Sequence, residues 1–123
     1  MDKTASDEFI RVVHQLHSFY SEIGILAKKS PDSLINEFKL NFINDAINDM
    51  NAILKEKKPF KSFDFFDLDK LPSSSDVVVI LAQYLKSAAN FYNENTVTKY
   101  GKTYLIEGGI EIERLVFLEL LNR

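Results

Sequence analysis

The feature that most constrains this chain is the run from Val77 to Tyr92. There Val77, Ile80, Leu81, Tyr84, Leu85, Ala88, Phe91 and Tyr92 recur at helical spacing. Adding Val78, Ala82 and Ala89 widens the apolar arc past half the circumference and leaves mainly Gln83, Lys86, Asn90 and Asn93 for water. A helix apolar over so wide an arc belongs in the middle of a bundle. Ser73-Ser74-Ser75-Asp76 offers several N-caps before it, and the helix is expected to reach about Asn95.

Two further helical patterns precede it. In the first, Phe9, Val12, Val13, Leu16, Tyr20, Ile23 and Ala27 share one side, with Arg11, Gln15, Ser18 and Glu22 opposite. Ser6 followed by Asp7 and Glu8 reads as its N-cap and acidic first turn, and Lys28 and Lys29 suit its negative end. Ser30-Pro31 predicts the start of the second helix, because proline preorganises the first helical position. Its apolar face would hold Ile35, Phe38, Phe42, Ile43, Ala46, Ile47, Met50, Ile53 and Leu54, opposed by Asn41, Asn44, Asp45, Asn48 and Asn51.

Between Lys55 and Ser75 the helical pattern stops. Pro59 and Pro72 flank a stretch with four phenylalanines in seven residues, Phe60 to Phe66, interleaved with Asp64, Asp67 and Asp69. So apolar a segment must dock on its own core or on a partner, since free loops lie in water. Beyond Asn95 two readings compete. One is a loop followed by a helix from Ile110 to Leu121; the other is a short β-hairpin around 103–113, turning at Gly108-Gly109. The expected fold is therefore mainly α: one domain over 1–123, a bundle of about four helices with an irregular aromatic insert.

Composition narrows the chemistry. The chain has no cysteine, which removes thiolate metal sites, disulfides and a cysteine nucleophile and suits a reducing compartment; a cytoplasmic location is expected. Its net charge of −3 is dispersed, and Lys55, Lys57, Lys58 and Lys61 are interrupted by Glu56 and followed by Asp64, Asp67 and Asp69, so nucleic acid is not an expected partner. The longest apolar run, Val77 to Ala82, is far shorter than a membrane span. The glycines, at 24, 101, 108 and 109, compose no phosphate-binding loop, and no cofactor is expected.

His14 and His17 lie three apart on the first helix, and Asp45 and Asp49 one turn apart on the second; together they are the candidate metal ligands of an alternative, metal-dependent reading. The leading expectation is a non-catalytic protein–protein interaction module: a small regulator, an immunity-type or antitoxin-type inhibitor, or an assembly factor. Its partner would meet Phe60, Phe63, Asp64, Phe65, Phe66 and Asp67, because interface centres favour aromatic side chains ringed by polar ones. A third reading is a dimeric scaffold, held through Ile112, Leu115, Val116 and Leu120 of an apolar carboxyl-terminal helix.

Overall fold

A computed structural model describes the backbone of residues 3–99, 102–105 and 111–112, and the side chains of residues 4–95. The fold is mainly helical, with α1 Lys3–Lys29, α2 Glu37–Leu54 and α3 Ser74–Glu94. A 3-10 turn, Lys55–Lys57, follows α2. After α3, β1 Thr96–Lys99, β2 Lys102–Leu105 and β3 Glu111–Ile112 pair antiparallel in that order, with Thr96 opposite Leu105 and Thr103 opposite Ile112. Glu111 and Ile112 are thus extended instead of opening the helix expected over 110–121; the rest of that stretch lies outside the described residues.

Contacts between the helices fix their directions. Arg11, near the start of α1, reaches Asp49 near the end of α2, and Phe9 meets Phe91 of α3 at a ring-centroid distance of 5.1 Å. Both α2 and α3 therefore run antiparallel to α1 and parallel to each other. The ion pair between Lys57 and Glu94 joins their carboxyl ends. Two successive parallel helices need a connection that travels back along the bundle, and an 18-residue helix is roughly 27 Å long. The aromatic insert is that return path.

The apolar faces read from the sequence meet in one core. Phe9, Val12, Val13, Leu16 and Ile23 from α1 pack with Leu40, Ile43, Ile47, Met50 and Leu54 from α2 and with Val77, Leu81, Tyr84 and Ala88 from α3. Each is essentially excluded from water, which at about 1.5–3 kcal/mol per large apolar side chain makes this core the main source of stability.

Two helix starts differ from expectation. Ser6 is not a cap: α1 begins at Lys3, and Ser6 is fully buried inside the helix. Nor does α2 begin at Ser30-Pro31. Its N-cap is Asn36, whose Oδ1 accepts the Lys39 N–H at 2.9 Å, while residues 30–35 form a turn docked on the start of α3. There Ile35 N–H donates to the Pro72 carbonyl at 2.9 Å and Ser74 N–H to the Ser33 carbonyl at 2.8 Å. Ser74 Oγ, fully buried, donates towards the Ser30 and Pro31 carbonyls at 2.7 and 3.1 Å. Docked in this way the segment is held as a turn, and the helix opens only after Asn36. Ser73 caps α3 as expected, its Oγ accepting the Asp76 N–H at 3.2 Å.

Candidate functional site

The Phe60–Leu71 insert docks between α2 and α3, and two asparagines of α2 hold it. Asn44, 8% exposed, accepts the Phe66 N–H through Oδ1 at 2.8 Å and donates from Nδ2 to the Phe66 carbonyl at 2.9 Å. Asn51 donates to the Asp64 carbonyl at 3.0 Å and accepts the Tyr84 hydroxyl at 2.7 Å, which ties α3 to the same strap. Loss of hydration pushes the Tyr84 phenol up; the bond to Asn51 opposes this, and the nearby Asp64 charge adds to it. Asp64 also pairs with Lys58.

The rings of the insert divide sharply. Phe66 is buried, and Phe63 stacks on it edge-on at 5.1 Å. Phe60 and Phe63 are half-buried and lie 6.3 and 6.4 Å from the Tyr84 ring. Of the residues expected to meet a partner, Phe60, Phe63 and Phe66 are thus largely engaged with this chain's own core. Phe65, 58% exposed, remains available with Asp64 and Asp67 on either side.

The candidate metal ligands do not assemble. His14 is exposed and His17 is buried at 7% exposure; Asp45 is exposed, and Asp49 accepts from Arg11 at 3.3 Å. Arg11 also grips Glu8, and that bond holds the Glu8 carboxyl below its usual range while raising the guanidinium. Among the described residues no three His, Asp or Glu side chains converge on a point.

The most exposed phenylalanine lies elsewhere, on α2. Phe38 and Phe42, one turn apart on α2, are 72% and 51% exposed, with their rings edge-to-face at 5.1 Å and 77°. Both were expected on the buried face. Phe42 closes a narrow cleft of about 70 Å³ with Phe19, Glu22, Ile23, Lys39 and Ile43, between α1 and α2. On the other flank of α1 a wider cleft of about 500 Å³ lies against Val78 of α3 and contains Tyr20, Ser21, Gly24, Ile25 and Ala27. A third, of about 510 Å³, sits at the opposite end of the bundle beside Ala5, Ile53, Lys55 and Phe91.

A helical wheel counts apolar residues without knowing how wide the contact is. Here α2 turns Asn44 and Asn51 towards the insert, so the buried arc shifts and Phe38 is left outside it. The one clue in the sequence was that the apolar face of α2 is broader than a single neighbouring helix can cover.

Of the expected dimer contacts, Ile112 is described only through its strand pairing, and Leu115, Val116 and Leu120 lie outside the described residues. Among the described residues no helix is long and apolar enough to cross a membrane. No family model, curated protein or solved structure matches this chain.

Proposed function

We propose that this chain is a non-catalytic protein–protein interaction module, acting in the cytoplasm as a small regulator, an immunity-type or antitoxin-type inhibitor, or an assembly factor. The observation that carries this reading is the Phe38–Phe42 pair. Two aromatic rings packed edge-to-face, 72% and 51% exposed on a regular helix, are a rigid anchor of the kind that dominates interfaces. Burying a fully exposed phenylalanine contributes roughly 1.5–3 kcal/mol, and covering the part of these rings still in water contributes a share of that.

The partner expected from this chemistry is a protein that presents aliphatic side chains to the two rings. Exposed Asn41 and Asp45 beside them would form the polar rim. Phe65 with Asp64 and Asp67 is a second, smaller contact. It lies on the flank of α2 that carries Asn44, away from the cleft closed by Phe42.

The reading is tested by placing a photo-crosslinking phenylalanine analogue at position 42 in the native host, with a control at the exposed Asn48. The expected result is one heterologous adduct at 42, none at 48, and loss of the adduct when Phe38→Ser is added. Equal labelling at both positions, no heterologous adduct at 42, or an adduct indifferent to Phe38→Ser would refute it.

A further inference from the structure

We propose that the outward ridge of α1 between Ser18 and Lys29 is a contact between two copies of this chain, packed antiparallel about a two-fold axis beside Ile25. This goes beyond the Phe38–Phe42 reading and does not depend on it.

The apolar centre of the ridge is Ile25, 61% exposed in the middle of a polar helix face. Beside it the cleft walled by Tyr20 and Val78 offers further apolar surface. Gly24 lies in that cleft, and its identity is unexplained by the fold of one chain. A Cβ built there meets nothing within 4 Å, and the backbone is ordinary helix without a positive φ. Glycine in a helix interior is less stable than alanine because its backbone loses more conformational freedom on folding, so intramolecular packing favours replacing it. Its benefit is to let another backbone approach closely. The neighbouring Ser21 and Ala27 are small as well.

Charge identifies the occupant. Glu22 stands three residues before Ile25 and Lys28 three after, both exposed, and neither has an ion-pair partner among the described residues. If Ile25 faces Ile25 of an antiparallel second copy, Glu22 meets Lys28 of that copy and Lys28 meets its Glu22. A parallel copy would instead set like charges opposite one another. The ridge is therefore self-complementary in one orientation, as an isologous two-fold interface requires. Opposed charges of this kind set register and orientation.

Sedimentation equilibrium of the full chain, with Glu22→Lys, Lys28→Glu and an equimolar mixture of the two, tests the proposal. All altered side chains are exposed, and unchanged circular dichroism verifies the fold. The wild type is expected to dimerise. Each single variant, which opposes two like-charge pairs, should weaken self-association by roughly tenfold or more. The mixture should recover the wild-type dimer, because the heterodimer restores both pairs. A wild type that stays monomeric at ~1 mM overturns the proposal. A dimer indifferent to both substitutions also overturns it and moves the interface elsewhere, with residues 110–121 the next to test.

Discussion

Asn44 and Phe66, 22 residues apart, form a two-way bridge in which one side-chain amide satisfies both backbone groups of one residue, at 2.8 and 2.9 Å. It is the fixed point of the strap that joins two parallel helices. Asn44→Ala would leave the buried Phe66 N–H and carbonyl unpaired, each costing about 1–3 kcal/mol, so a loss of roughly 2–4 kcal/mol is expected in urea unfolding. Asn44→Asp keeps the acceptor but places a carboxylate against a carbonyl. Its destabilisation should shrink as the pH falls and the carboxyl becomes a donor. Equal stability of the wild type and Asn44→Ala would show that the bridge does not hold the strap.

Adjacent phenylalanines of the strap should behave oppositely. Phe66 is 8% exposed and Phe65 58%. Phe66→Ala is expected to cost about 3–5 kcal/mol and Phe65→Ala less than about 0.5 kcal/mol, measured by the same denaturation. Comparable losses would mean that the strap is not seated as described.

Lys55 ends α2 with φ 54° and ψ −123°, while its N–H bonds the Asn51 carbonyl. A side chain is disfavoured in that region of backbone space, whereas glycine enters it without steric penalty. Lys55→Gly should therefore raise stability by about 1 kcal/mol, seen as a higher melting temperature. An unchanged or lower one would show that Lys55 gains as much elsewhere as its backbone costs.

Gly24→Ala probes the α1 ridge without charge. The open space at its Cβ position predicts a gain of about 0.5–1 kcal/mol for the monomer, measured by dilute thermal unfolding. A loss of stability there would mean that the helix needs glycine for a reason internal to one chain.

Tyr84 carries a pH dependence. Its phenol is raised in the folded state above the unfolded value of about 10, chiefly by burial, so the folded protein holds that proton more tightly. The associated stability is full below pH ~10 and is lost as pH rises through the folded value. Tyr84→Phe should cost about 1 kcal/mol at neutral pH, for the bond to Asn51, and should flatten the alkaline decline. An unaltered decline would assign it to other groups.

Much of the fold was legible in the sequence, for reasons visible in particular residues. The faces of α1 and α3 follow their apolar period because each packs as a regular helix against the centre, and Ser73 caps α3 as a local signal predicts. Helix starts at Ser6 and Ser30-Pro31 failed because the same residue types serve other ends. Ser6 is enclosed within a longer helix, and the turn carbonyls at 30, 31 and 33 are taken by Ser74 and Ser75 of α3. The candidate site was legible only as a segment: an aromatic strap between prolines had to dock, but which ring faced inward was not encoded locally.

The sequence by itself determined three helices, the apolar residues that build their common core, and the exclusion of thiol chemistry. The tertiary structure decided that α2 and α3 run parallel, that Asn44 and Asn51 turn inward to hold the return strap, and that Phe38 and Phe42 are consequently left facing water. Periodicity reports what one helix offers, a local property. Which part of that offer is accepted depends on where the neighbours stand, and a hydrogen-bonded asparagine can occupy the interior as securely as a phenylalanine once its amide is fully paired.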